Sequence, residues 1–347
     1  MAVVLGALVL AEAPARAHPL PKPFQLDRLN RRLHGRVIDH TFNHGVDRRI
    51  WSPALGERRD LYVYVPPGFD PGRRYPLVLF LHGFGQDEKV FLEAVGPLDR
   101  AIACGKLPPV LIAAPDGSLR GLDCLLTAGT FFLNSNLGAF EDFLMVDVWD
   151  FVLGHYPVRP EREAHALLGV SMGGGAAFNM AIKYRDRVGV VLGVFPPLNT
   201  RWVDCHGRYM SDFDPCCWGW RTRFPSHEVV GRFYGVIPVT LGRVISPLYG
   251  RRNPSTLARV IAENPVEMLA LYDVKPGELE MYVAYAGRDE FNLGAQVESF
   301  LYVARHRGLE VGVGYDPEGH HNARTGFALL PGLIEWLRPR LEPYAPP

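Results

Sequence analysis

The sequence carries no excess of charge of either sign. Lys and Arg together number 37, and so do Asp and Glu, giving a formal net charge of +0. Nothing in that balance calls for nucleic acid or an anionic membrane as partner. Long hydrophobic runs are also missing: the longest apolar stretch, Ala2 to Ala11, is too short to span a bilayer. No internal repeat, low-complexity tract or heptad pattern occurs, which excludes solenoids and coiled coils. Cysteine is sparse, with five residues, and none stands in a CxxC pair or a His-Cys cluster of zinc type. What is present is ordinary globular composition, 48% hydrophobic and 21% charged in 347 residues, ample for one large α/β domain or two smaller ones.

The N-terminus stands apart. The apolar stretch is followed by Ala15-Arg16-Ala17, a small-x-small pattern, and then by the Pro-rich "HPLPKP". Residues 1–17 read as a secretory signal cleaved after Ala17, although no Lys or Arg precedes the apolar run. The expected location is therefore extracellular or periplasmic. In such a compartment Cys205 is expected to bridge to Cys216 or Cys217, and Cys104 to Cys124, with one thiol left over. Five reduced cysteines are the alternative.

After an N-terminal arm with the first strands (18–59), strands and helices alternate over residues 60–340. "YPLVLFLHGFG", "PPVLIAAPDGS", "EAHALLGV" and "VGVVLGVFPPL" are short apolar runs bounded by Gly or Pro, as in strands buried on both faces. "DLYVYVPPGF", "LEMYVAYAGRDEFN" and "LEVGVGYDPEGHH" supply further strands. "FEDFLMVDVWDFVLGHY", "GGGAAFNMAIKYRD", a segment from about Ala295 to His306, and "GFALLPGLIEWLRPRL" have helical length and period. The alternation predicts a mostly parallel sheet with helices on both faces, and reactive groups beyond the carboxyl ends of its strands.

One strand end carries Gly169-Val170-Ser171-Met172-Gly173 and runs straight into a helix. That context makes it a nucleophile elbow, in which a serine is held on a tight turn above the sheet. A plain turn serine would need neither glycine. A serine hydroxyl needs a base, and a base needs an orienting acid, here in the order Ser, acid, His. Asp289, with Glu290 beside it, follows the strand "MYVAYAG". His320 and His321 follow the last strand. We take Asp289 as the acid, since it is the first carboxylate past the strand, and His320 as the base, since it directly follows Gly319; His321 is the alternative base. A metal at the His pair is not expected, because adjacent side chains in an extended loop diverge and no third ligand is evident. The backbone N–H groups of Met172 and of Phe84, in "FLHGFGQDE", are the candidate oxyanion donors. No cofactor is called for.

Together, "YVYVPPGFDPGRRYPLVLFLHGFG", "PDGS", "FFLNSN", "FEDFL", "GVSMGG", "AGRDEFN" and "GHH" resemble the esterase D-like branch of the α/β-hydrolases over roughly residues 60 to 325. That branch includes feruloyl and other carbohydrate esterases, S-formylglutathione hydrolase and mycolyltransferases of the antigen 85 type. The resemblance implies an α/β-hydrolase fold, a Ser171–Asp289–His320 triad with Phe84 and Met172 as oxyanion donors, and a small-molecule or saccharide ester as substrate. "GHH" departs from the Gly-His-Asp expected there. The stretch 198–263 departs too. It holds nine aromatics from Trp202 to Tyr249 and eight arginines from Arg201 to Arg252. It is expected either to cap the site, with aromatic faces for a sugar or aromatic acyl group and arginines for an anionic substituent, or to be a helical insertion with its own small core. A secreted serine carboxylesterase is the first functional expectation. An acyltransferase using the same acyl-enzyme is the alternative, and a non-catalytic binding protein on the same scaffold is a third reading. Neither the ester nor the oligomeric state is legible.

Overall fold

In the computed structural model, residues 24–121, 127–233, 235–251 and 254–346 are described. The proposed signal segment and Cys124 lie outside them. Eight strands form one sheet: β1 (Arg36–His40), β2 (Leu61–Val65), β3 (Leu77–Leu81), β4 (Leu111–Pro115), β5 (His165–Val170), β6 (Val190–Val194), β7 (Glu280–Ala286) and β8 (Val311–Asp316). Their order is β1-β2-β4-β3-β5-β6-β7-β8. The β1–β2 and β2–β4 pairs are antiparallel and all others are parallel. The mostly parallel sheet of the α/β-hydrolase fold is thus present.

The continuous apolar runs become central strands because helices cover both faces. β2 to β6 are buried at nearly every position, while β8, at the edge, alternates between half-buried and exposed. One face packs against α1 (Val90–Ala103) and α4 (Ala323–Leu341), and the other against α2 (Met172–Lys183) and α3 (Leu293–His306). "FEDFLMVDVWDFVLGHY" is helical from Phe140 to His155, with a π-helical stretch at Phe143–Val148 in its middle.

The stretch 198–263 is only partly helical. It folds into two β-hairpins, Trp202–Asp204 with Trp218–Trp220 and Val229–Phe233 with Ile237–Thr240, followed by three short helices. A Cys205–Cys217 disulfide ties the first hairpin. The bridge therefore takes the second member of the Cys216–Cys217 pair, and Cys216 is exposed. Phe213 packs at a tilt against Trp202, Trp218 and Tyr302 of α3, and Trp218 meets Tyr302 edge-on, so part of the segment does have an aromatic core. Among the described residues no helix is long and apolar enough to cross a membrane.

Candidate active site

Every sequence-predicted site residue lies beyond the carboxyl end of a parallel strand. Ser171 follows β5, Asp289 follows β7, the histidine pair follows β8, and Phe84 follows β3. Ser171 itself adopts φ 53°, ψ −119°, a region that costs an L-residue strain and persists only where the surroundings hold it. They do so through hydrogen bonds that extend the sheet: Ser171 N–H donates to Val194 O at 2.7 Å, and Phe195 N–H to Ala284 O at 2.7 Å. The two glycines now have specific reasons. A Cβ at Gly169 would collide with the Gly173 backbone, and one at Gly173 with the Leu81 and His82 carbonyls. The elbow is pressed against the end of β3, which brings the "HGFG" loop beside the serine.

Ser171 Oγ lies 3.0 Å from His321 Nε2. His321 Nδ1 lies 2.8 Å from Asp289 Oδ2, so the Nδ1–H donates to the carboxylate and Nε2 is left to accept the serine proton. The Asp289 side chain is 2% exposed, and its Oδ1 accepts the Phe291 N–H at 2.7 Å. The His321 ring sits between Phe195 and Phe291, with centroids 5.0 and 4.8 Å away. It is fixed by packing as well as by hydrogen bonds.

His320 is not where the sequence expectation put it. Its side chain is 47% exposed, and its Nδ1 meets Glu290 Oε1 at 2.8 Å, away from Ser171. Glu290 Oε2 takes the His321 N–H at 2.9 Å, and Thr325 Oγ1 takes the His320 N–H at 3.1 Å. Glu290, passed over as the acid, thus braces both histidines and turns the first outward and the second inward. Burial works against its ionisation. The His321 N–H and the His320 ring outweigh burial and hold its carboxyl below the usual range.

The loop after β3 is equally constrained. Burial pushes the His82 pKa below its usual range against the pull of Asp116. The neutral ring accepts the Gly117 N–H on Nε2 at 2.9 Å and donates from Nδ1 to Gly83 O at 2.9 Å. Gly83 N–H donates to Gln86 Oε1 at 2.9 Å. Among the described residues no acceptor pairs with the N–H of Phe84 or of Met172, the first residue of α2. Two free donors beside a serine at a helix N-terminus can take a developing negative charge.

A cavity of about 720 Å³, its open mouth included, extends from Ser171 under the 198–263 segment. Its wall is largely apolar, with Phe84, Phe131, Met172, Phe233, Ile245 and Phe291 prominent. Phe84 stacks on Phe233 at 6.0 Å, and Phe233 meets Phe291 edge-on at 5.0 Å. His82 lies within "FLHGFG" and Glu290 and Phe291 within "AGRDEFN", but nothing in those motifs tells that they tether the loop, brace the histidines or flank the His321 ring. "GVFPP" and "RDEFN" placed the phenylalanines beside the elbow and the acid, which was their only signal.

Among the described residues, two side-chain groups resemble metal sites by proximity. Cys205 and Cys217 are consumed by the disulfide, so neither sulfur can ligate. The carboxylates of Asp60, Glu88 and Asp116 lie within 4.8 Å of one another behind the loop after β3. Asp116 there already accepts from Arg59 and the Ser118 N–H, and Glu88 from Asn43.

Comparison with known proteins places the fold and the family. The chain is 27% identical to Esterase Rv1288 of Mycobacterium tuberculosis (strain ATCC 25618 / H37Rv) over 163 residues, 43% of this chain and 32% of that one. The match thus spans about a third of that relative's length. Among solved structures, a ferulic acid esterase matches with TM-score 0.62 at 16% identity, covering 89% of this chain and 99% of that one. An S-formylglutathione hydrolase from Agrobacterium tumefaciens matches with TM-score 0.60 at 15% identity, covering 89% and 96%. The model of the family described as "Putative esterase" matches residues 52–265, more than half of the chain. With that match, and with the esterase D-like motifs standing at the strand ends of an α/β-hydrolase sheet, the chain belongs to this "Putative esterase" family.

Proposed function

We propose that this chain is a serine carboxylic-ester hydrolase in which Ser171 is the nucleophile, His321 the base and Asp289 the orienting acid. The observation that carries the reading is the line of contacts from Ser171 Oγ to His321 Nε2 at 3.0 Å and from His321 Nδ1 to Asp289 at 2.8 Å, starting from a strained serine. As Ser171 Oγ attacks the ester carbonyl, its proton passes to His321 Nε2, and the resulting imidazolium faces the Asp289 carboxylate. The carbonyl oxygen becomes an oxyanion between the Phe84 and Met172 N–H groups. Collapse expels the alcohol, which takes the proton from His321 and leaves an acyl-serine. Water, deprotonated by the same ring, then releases the acid and restores the serine.

The substrate is an ester with a bulky apolar part, because the cavity beside Ser171 is walled mainly by aromatic and aliphatic side chains. A hydroxycinnamoyl or carbohydrate-linked ester fits that description. The hairpins of 198–263 act as a cap that positions the remote part of the substrate. Export through residues 1–17 is consistent with the Cys205–Cys217 bridge, which persists in an oxidising compartment.

A fluorophosphonate probe tests the reading directly. It should label Ser171 alone, and Ser171→Ala should abolish both labelling and 4-nitrophenyl butyrate hydrolysis while circular dichroism is unchanged. Labelling at another serine, or residual turnover in Ser171→Ala, sinks it.

A further inference from the structure

One wall of the cavity departs from its apolar character. Tyr209, Gln296 and Arg221 stand there among hydrophobic side chains. The first two are satisfied within the protein. Tyr209 Oη donates to Phe291 O at 2.6 Å and accepts from Gln296 Nε2 at 2.8 Å, and Gln296 Oε1 accepts the Asn199 N–H at 3.1 Å. Arg221 is not. Its side chain is 5% exposed and its Nη2 donates to Glu228 Oε1 at 2.7 Å, yet Nε and Nη1 are buried with no acceptor. Buried guanidinium donors left without partners are costly, and folded proteins rarely keep them without use.

The side chain is held in place from several directions. Its backbone N–H donates to Arg201 O at 2.8 Å, its carbonyl accepts from Arg201 Nε at 2.9 Å, and its guanidinium lies 5.3 Å over the Tyr209 ring. Arg201 and Arg208, by contrast, are spent on Glu267 and Asp204. Of the arginines in this segment, Arg221 alone lines the cavity among the described residues.

The cavity also shows which part of the ester it takes. It is lined by the nucleophile and by both oxyanion residues, but not by His321. The leaving alcohol must face His321 Nε2 to be protonated. The group that extends into the cavity is therefore the acyl chain.

Resting on the serine-esterase reading above, we infer that Arg221 selects acyl groups that end in a carboxylate, so that the substrate class is the monoester of a dicarboxylic acid. The apolar wall takes the methylene or aromatic body, and Arg221 Nε and Nη1 take the carboxylate oxygens. Glu228 holds the guanidinium without neutralising both free donors.

The test is kcat/KM for 4-nitrophenyl monoesters of dicarboxylic acids, succinate through suberate, each divided by that of the uncharged ester of equal chain length. The wild type should favour the charged ester by about tenfold or more at the chain length that reaches Arg221. Arg221→Gln should bring that ratio to one or below, and Arg221→Lys should restore part of it. Glu228→Gln, at a partly exposed side chain, should raise the ratio by leaving a net positive charge, and it decides the matter if Arg221→Gln does not fold. A wild-type ratio near one at every length overturns the inference. So does an Arg221→Gln protein that loses both esters equally. If the uncharged esters are hydrolysed without preference, only the Arg221 assignment falls. If neither ester is hydrolysed, or Ser171→Ala still turns them over, the esterase reading falls and takes this one with it.

Discussion

Two histidines adjacent in sequence are expected to differ in effect by several orders of magnitude. His321→Ala removes the only group within hydrogen-bonding distance of Ser171 Oγ among the described residues, together with the partner of a 2%-exposed Asp289. Loss of a triad histidine typically lowers kcat by about 10⁴- to 10⁶-fold, or roughly 5–8 kcal/mol of transition-state stabilisation. His320→Ala removes an ion pair whose partners are 47% and 36% exposed. A pair so open to solvent contributes at most about 1 kcal/mol. Glu290 also keeps its bond to the His321 N–H in that variant, so the base stays in place. The expected change in kcat is below about fivefold. Pre-steady-state hydrolysis of 4-nitrophenyl butyrate, with thermal unfolding of both variants alongside, measures this. An inactive His320→Ala and an active His321→Ala, both folded, would refute the assignment of the base.

Two further outcomes follow from packing and charge. Gly173→Ala forces a methyl against the Leu81 and His82 carbonyls, so it should cost about 1–3 kcal/mol of stability. It should also lower kcat more than it raises KM, because those carbonyls begin the loop bearing the Phe84 N–H; unchanged kinetics would mean that the loop is not part of the site. Burial, reinforced by the nearby Asp116 charge, raises the Asp60 pKa from its usual 3.8 to about 6. Glu88, buried beside the same acids, is also raised. The folded state then binds more protons than the unfolded one, so stability falls as pH rises from about 4 through 6 and the loss is complete above the folded-state pKa. Asp60→Asn should remove a part of that fall, up to about 3 kcal/mol, in urea titrations at low and neutral pH; an unchanged pH slope would show that Asp60 does not carry it.

Much of this was legible because each relevant signal is local. A parallel strand buried on both faces must be an uninterrupted apolar run, and β3, β4, β5 and β6 were visible for that reason. The elbow was visible because its two glycines answer to backbone collisions that no other residue tolerates. Asp289, the carboxylate that meets His321, was legible as the first carboxylate past β7. The choice of histidine was not. It depends on how a loop turns, and that turn is set by Thr325 in the first turn of α4 and by Glu290, 30 residues before His320 and just past β7. Following a glycine says nothing of which neighbour faces inward. The 198–263 segment was legible only as an excess of aromatics and arginines. Composition cannot divide these between a private core, where Trp202, Phe213 and Trp218 went, and a cavity wall, where Tyr209, Phe233 and Arg221 went.

That division bears on how the site is held together. The segment does not merely lie over a finished catalytic centre. The second hairpin approaches Phe291 so closely that Gly231 has no room for a Cβ, and Phe291 is the residue whose N–H is held by Asp289. Tyr209 Oη donates to Phe291 O, and Asn292 Nδ2 donates to the carbonyls of Tyr209 and Ser211. The loop that carries the acid is thus fixed on one side by the sheet and on the other by the segment. Phe291 in turn packs against the His321 ring, and Phe233 links it to Phe84 at the oxyanion loop. Residues lining the cavity therefore touch the same phenylalanines that pack against His321 and the Asp289 loop. On the proposed serine-esterase reading, an acyl group that fills the cavity is expected to change kcat as well as KM, because the cavity wall shares Phe84, Phe233 and Phe291 with the Asp289 and His321 loops; a chain-length series of 4-nitrophenyl esters in which only KM varies would refute this.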